Sequence, residues 1–403
     1  MSHAALRPSD TYSPLYFLAS LGAGGLAVTF FMWLMHWIPH PNQPVPVFED
    51  IAAAFTTGSV LMQGMIAIAM IGIAAFAFLN LKLLVWNLRR FSEWRKSEGF
   101  VQFARTNAQS QVMAMPLALA MSVNVLFILG MVFVPGLWAV VEYLFPIAMI
   151  TFLVIGAYGF KLYAQFLGRV LTEGGFNCAA NNNFGQILPA FAFAMVGVGL
   201  AAPAALSTMP ALAGLGLVFS TFFLMTSVVI AGIAMILGFR SMMENGANPE
   251  TAPTLSIIVP LLAVMGILSL RQSHGLSEHF GAQATSGETM LTLAKYLSVQ
   301  VLFLLLAGFV LIRQGYAQSF LFGSKNSPGS YALVCPGVGF AVLMHFFVNK
   351  GLVEAGLIAK FGTGFWALTI VALVAQFAMI WLVLHLNRRH FGQARPAEPV
   401  PAE

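Results

Sequence analysis

Residues 112–134 read Val-Met-Ala-Met-Pro-Leu-Ala-Leu-Ala-Met-Ser-Val-Asn-Val-Leu-Phe-Ile-Leu-Gly-Met-Val-Phe-Val. The run carries no charge. At a rise of about 1.5 Å per residue it is long enough to cross the hydrocarbon core of a bilayer as a helix. Its polar members are Ser122 and Asn124, and Pro116 lies near its start. Its apolar residues do not alternate with polar ones, as they would in a membrane β-strand.

Working outward, nine further stretches share this character: 13–38, 59–87, 137–162, 185–202, 213–239, 253–270, 289–313, 331–349 and 363–386. Backbone polar groups cannot be left unpaired in lipid, so helices are the natural reading of all ten. Composition agrees. Apolar types make up 59% of the 403 residues and charged types 8%, where soluble domains carry about 25%. The predicted fold class is an all-α integral membrane protein with ten transmembrane helices. A cytoplasmic segment spans 1–12, the membrane domain 13–386, and a basic, Pro-rich tail 387–403.

The net charge of +5 does not signal nucleic-acid binding, because the basic residues cluster by side. With the N-terminus inside, Arg7, Lys82, Arg89, Arg90, Arg95, Lys96, Arg105, Lys161, Arg169, Arg240, Arg313, Lys325, Arg388, Arg389 and Arg395 fall on the cytoplasmic side. Arg271, Lys350 and Lys360 fall outside, and Lys295 lies within a helix. The asymmetry predicts two cytoplasmic termini and an even number of spans. Arg89, Arg90, Arg95 and Lys96 form a patch suited to anionic lipid. No short apolar stretch with a cleavage site opens the chain, so no cleaved signal peptide is expected. Cys178 and Cys335 are too far apart in sequence and setting to imply a disulfide or metal framework, and both are read as free thiols.

An internal repeat organises the odd segments. Each has a proline near its start, at Pro14, Pro116, Pro189, Pro260 and Pro336, and the last four are spaced 73, 71 and 76 residues apart. Ser20, Met121, Met195 and Met265 follow at five or six residues. Even segments lack such a proline except for Pro146. The pattern predicts five helical hairpins, each with one proline-bearing helix. A proline frees a carbonyl, which lipid does not tolerate unless other helices or water satisfy it. Five in phase therefore predict five kinked helices around a common, partly hydrated pore. Glycines in the odd segments (Gly22, Gly24, Gly25, Gly197, Gly199, Gly337 and Gly339) either leave room along that axis or let helices pack closely.

The polar residues available to such a pore are Ser20, Ser122, Asn124, Gln186, Thr254, Ser256, His345 and Asn349. His345 is the one ionisable residue among them. No Asp or Glu relay and no basic ring is seen, so the walls are expected to be nearly uncharged. Such walls suit small or weakly hydrated anions.

The run Asn248-Pro249-Glu250-Thr251-Ala252-Pro253-Thr254-Leu255-Ser256-Ile257-Ile258-Val259-Pro260 and the opening run Pro14 to Gly25 resemble the tellurite-resistance TehA, slow-type anion channel and C4-dicarboxylate transporter family. Helix count, termini and odd-segment prolines fit the same family, so the resemblance covers nearly the whole chain. It implies a pore lined by the odd helices in each protomer of a homotrimer, plugged by a phenylalanine of the ninth helix. The chain departs from the family pattern in two places. Cys335 stands where an aromatic residue precedes the ninth-helix proline. Thr106-Asn107 and Asn181-Asn182-Asn183 replace the His-Pro signature before the third and fifth helices. Phe340, Phe191 and Phe193 are the candidate plugs, since an apolar ring can dewet a narrow passage.

His345 is read either as packing or as an anion ligand whose charge changes near neutral pH. His36, His345 and His385 are weighed as haem ligands, but the two end histidines fall on opposite sides. Lys295 reads as an interfacial anchor and Asn181 to Asn183 as a loop and helix cap. The expected function is an anion channel or transporter of small anions in a bacterial inner membrane. The rivals are a secondary carrier of C4-dicarboxylate or sulfite, and a haem- or quinone-anchoring subunit. No nucleophile constellation, phosphate loop or metal-ligand spacing occurs, so neither enzyme activity nor a cofactor is expected.

Overall fold

A computed structural model describes residues 12–41 and 43–391. Among them all regular structure is helical. Ten helices are long and apolar enough to span a membrane: α1 Pro14–Trp37, α2 Val60–Trp94, α3 Asn107–Phe133, α4 Leu137–Glu173, α5 Gly185–Leu206, α6 Pro210–Asn245, α7 Ala252–Phe280, α8 Ser286–Arg313, α9 Pro328–Val353 and α10 Thr363–Phe391. The chain is a multi-pass membrane protein. Arg7 and Arg395, most of the N-terminal segment and the tail beyond Phe391 lie outside the described residues. α10 carries Arg388, Arg389 and His390 in its last turn.

The odd spans start alike. In four of them a polar side chain caps the turn: Ser13 Oγ accepts from Leu15 N–H, Thr106 Oγ1 from Ala108, Asn183 Oδ1 from Gly185 and Ser327 Oγ from Gly329. A 3-10 turn follows in all five, and the α-helix proper then begins. Pro116, Pro260 and Pro336 are each the third residue of that α-helix, Pro189 is the second, and Pro14 opens the 3-10 turn. Here the expectation that these prolines kink the odd helices is corrected. A proline in the first turn removes an N–H that has no intrahelical partner anyway. These prolines mark the change from 3-10 to α. Pro146 alone lies within an α-helix interior.

Packing separates the spans into two sets. α1 touches α3, α3 touches α5, α5 touches α7, α7 touches α9, and α9 returns to α1. Each even span lies against two neighbours of this circuit: α2 on α1 and α3, α4 on α3 and α5, α6 on α5 and α7, α8 on α7 and α9, α10 on α9 and α1. Some connections within these pairs are very short. Residues 134–136 join α3 to α4, and 207–209 join α5 to α6.

Small residues close the circuit. A Cβ on Gly339 of α9 would lie 2.7 Å from Pro260 Cα of α7, and one on Gly25 of α1 would lie 2.6 Å from a Val338 methyl of α9. Gly22, Gly25, Gly199 and Gly339 pack closely on neighbouring helices and also border the central cavity, so both readings of these glycines hold together. Asn80 of α2 ties three spans together. It donates to the Ser20 carbonyl at 2.8 Å, its own carbonyl accepts from Ser20 Oγ at 2.9 Å, and its Oδ1 accepts from Ser122 Oγ of α3 at 3.0 Å.

Candidate functional site

The circuit of odd spans surrounds a cavity of about 180 Å³. Each odd span contributes one helical face. On α7 the lining residues Pro260, Val264, Ile267 and Arg271 follow each other at helical spacing. The stretch from Pro260 to Arg271 extends about 16 Å along the axis. Phe145, Ala148 and Phe152 of α4 complete the wall where α5 is interrupted at Ala201. The wall is overwhelmingly apolar, made of Met, Val, Leu and Phe side chains with Met121 and Met195 among them.

Two polar side chains reach this wall. Asn124 of α3 donates to the Ala120 carbonyl at 3.1 Å and approaches Met195 Sδ at 3.7 Å. Arg271 of α7 donates from one terminal nitrogen to the Val198 carbonyl of α5 at 2.7 Å. That carbonyl lies in the last turn of the first α5 helix, where carbonyls lack intrahelical partners. The other guanidinium nitrogens have no acceptor among the described residues, and no carboxylate pairs with it there.

Arg271 is the residue that sequence reasoning missed. The apolar run stops at 270, whereas the helix runs on to Phe280 and carries the arginine into the cavity wall. The available signal was the lone arginine abutting an apolar span on the side poor in basic residues. The expectation of an uncharged wall is corrected accordingly.

The other sequence candidates are placed as follows. Of the five prolines, Pro260 lines the cavity, and Pro14, Pro116, Pro189 and Pro336 are buried among the helices. Phe191 lines it as well. Phe193 points to the opposite side of α5, stacked on Phe160 of α4 with ring centroids 4.3 Å apart. Phe340 sits about 140° around α9 from the lining residue Cys335, at about 100° per residue. The aromatic side chain that α9 does turn to the cavity is Phe346. Ser20 is held by Asn80, as above. Gln186 donates to the Asn107 carbonyl at 2.9 Å, Thr254 accepts from Phe184 N–H and donates to the Thr251 carbonyl, and Ser256 donates to the Pro253 carbonyl. Hydroxyls and amides in lipid-embedded helices find nearby carbonyls first, which takes these groups off the cavity wall.

His345 faces α1, not the cavity. Its ring stacks near His36 with centroids 6.4 Å apart and meets Trp37 edge-on at 6.1 Å. Both ring nitrogens of His345, His36 Nε2 and Trp37 Nε1 are buried without a partner among the described residues. His385 is far from this pair in contact terms, bonded to the Leu321 carbonyl at 2.8 Å. Beyond the C-terminal ends of α1 and α9, burial and the nearby Lys350 hold Lys360 below its usual pKa. Burial, with smaller contributions from Lys350 and Lys360, does the same for His40 against an opposing pull from Asp50.

Cys178 is exposed and Cys335 is buried, and both are free thiols. No cluster of three or more His, Cys, Asp or Glu suited to a metal ion occurs among the described residues. No protein-family model matches the sequence, and no curated protein matches it either.

Proposed function

We propose that this chain passes small anions across the membrane through a conduit bounded by α1, α3, α5, α7 and α9. The five units are read as helical hairpins, the odd member of each facing inward. The observation that carries the reading is the cavity bordered by those five spans and α4, whose one charged wall residue among the described residues is Arg271. A unit charge about 4 Å from a guanidinium interacts by about 4 kcal/mol at an effective dielectric constant of about 20. An anion gains that energy and a cation loses it, so the sign of the permeant ion follows from one side chain.

The resemblance to the TehA and slow-type anion channel family supports the same reading. The position it assigns to an aromatic plug is Cys335, which faces the cavity but carries a small thiol. Obstruction is therefore assigned to Phe191 at one end of the lining and Phe346 at the other. The lysine and arginine asymmetry supports cytoplasmic termini. The homotrimer and the bacterial inner membrane stand on resemblance and composition.

The test is anion efflux from liposomes holding purified protein, compared for wild type and Phe191→Ala. Chloride or nitrate efflux driven by a potassium-diffusion potential, raised severalfold by Phe191→Ala, is the expected result. Silence toward every anion in both proteins, or faster passage of potassium than of chloride, overturns the reading.

A further inference from the structure

A charge drawn out of water without a counter-charge is costly, and proteins pair it, neutralise it or use it. Arg271 is partly buried, has one carbonyl acceptor and no carboxylate among the described residues, and borders the central cavity. Guanidinium presents a planar fork of donors that matches the two oxygens of a carboxylate. The carbonyl of Val198 uses one terminal nitrogen and leaves the rest of that fork free. The free donors adjoin a space of about 180 Å³ walled by Met, Val, Ile and Phe. A cavity of about 150 Å³ lined by apolar side chains holds a benzene molecule. The space is thus right for a molecule of six to ten heavy atoms, in order of magnitude, with one charged end.

We infer that the cavity binds a singly charged carboxylate with an apolar body, such as benzoate or a short-chain fatty acid, with the carboxylate on Arg271 and the body among Val264, Ile267 and Phe191. This rests on reading the cavity as part of an anion path, and it names the class of anion. A dicarboxylate fits worse. Its second carboxylate would be stripped of water against an apolar wall on which Asn124, already bonded to Ala120, is the other polar side chain. Chloride would meet the guanidinium but leave the apolar volume unfilled.

Calorimetric titration of the full-length protein in lipid nanodiscs tests this, using sodium benzoate, acetate and succinate at constant ionic strength. Benzoate is expected to bind at least tenfold more tightly than succinate. Arg271→Lys, which keeps the charge and loses the fork, should weaken benzoate at least tenfold. Ile267→Phe keeps the guanidinium and fills the space one turn away, so it should abolish benzoate binding and spare acetate. Should Arg271→Lys fail to fold, Ile267→Phe and the benzoate to succinate ratio still decide. Succinate binding as tightly as benzoate, or benzoate binding unchanged in Arg271→Lys or Ile267→Phe, overturns the inference.

Flux measurements separate it from the broader reading. Chloride efflux with no benzoate binding removes the carboxylate site and leaves the conduit. Benzoate bound through Arg271 with no anion crossing the liposome removes the conduit and leaves the site.

Discussion

The inner circuit and the outer layer of this protein are nearly equally apolar, yet they live in different surroundings. Between 67% and 94% of the most apolar window of each odd span is buried, against 22% to 44% for the even spans. In water the more apolar set would go inside. In lipid the tails are as apolar as leucine, so hydrophobicity does not sort helices into layers. Side-chain size and backbone form do. The odd spans carry the glycines that let backbones approach and the first-turn prolines that follow a 3-10 start. The even spans present large side chains outward at helical spacing, as Phe222, Met225, Val229, Ile233 and Ile236 do on α6.

The sharpest way to break this comparison is to enlarge one glycine in each layer. A Cβ at Gly339 in α9 meets Pro260 Cα of the neighbouring helix at 2.7 Å, and backbone cannot yield as a flexible side chain can. Gly339→Leu is expected to leave no monodisperse protein on size-exclusion chromatography. Gly232 in α6 has nothing within 4 Å of an added Cβ. Gly232→Leu should elute as wild type and even gain about 0.8–1 kcal/mol of helix propensity. Aggregation of both variants would mean that α6 is not lipid-facing.

Phe191 and Phe193 carry the comparison onto a single helix. Two residues apart, they sit on opposite faces of α5, one on the cavity and one in the stack with Phe160 and Phe223. Removing a buried phenylalanine costs about 3–5 kcal/mol. Phe193→Ala should therefore lower the thermal midpoint markedly while leaving flux per folded molecule unchanged. Phe191→Ala should raise flux severalfold. If Phe193→Ala opens the passage and Phe191→Ala does not, the assignment of the two faces is reversed.

The fold was largely legible in the sequence because apolar length is a direct physical requirement of the bilayer. Ten spans were expected and ten occur. Their ends were not legible, since helices outlast the hydrocarbon and continue into charged residues. α4 runs to Glu173 and α7 to Phe280, well past the apolar runs that ended at 162 and 270. That error hid Arg271. The cavity wall was only partly legible. The five odd spans, Asn124, Pro260 and Phe191 were named for a pore and line the cavity, and Met121 and Met195, read only as marks of the repeat, line it too. Phe340, Phe193, His345 and Ser20 were named and do not. A residue type says what a side chain can do, but which way it faces depends on neighbours from distant spans. Asn80, which decides where Ser20 and Ser122 donate, lies in a different helix from both.

Asn80 also gives a prediction of intermediate size. It is fully buried and bonded on both amide atoms to inner-circuit residues, so it is the polar link between layers. Asn80→Leu would leave Ser122 Oγ its bond to the Ala118 carbonyl but strip the Ser20 carbonyl of its side-chain donor. The Ser20 carbonyl keeps its place in the helical ladder of α1, so the loss is that of net hydrogen bonds, about 0.5–1.5 kcal/mol each. Thermal unfolding should show a loss of that order, below that of Phe193→Ala. No loss would mean that packing alone joins α1, α2 and α3.

The smallest effect belongs to the outer face. Ile236 is 69% exposed on α6, with its side chain turned away from the circuit. In water such a residue would favour replacement by a polar one, and in lipid it does not. Ile236→Ala trims the side chain without opening a cavity and should shift stability by no more than about 0.5 kcal/mol. Ile236→Arg separates the two solvents. Arginine at the centre of a membrane span costs about 2.5–3.5 kcal/mol on insertion scales; at Ile236, one turn before Arg240, snorkelling toward the interface leaves part of that cost, whereas on a water-exposed face it costs nearly nothing. Insertion of Ile236→Arg, measured by the yield of membrane-integrated protein, should fall while Ile236→Ala inserts normally. Equal yields would place this face of α6 against water or another chain, and the outer layer would then have to be redrawn around it.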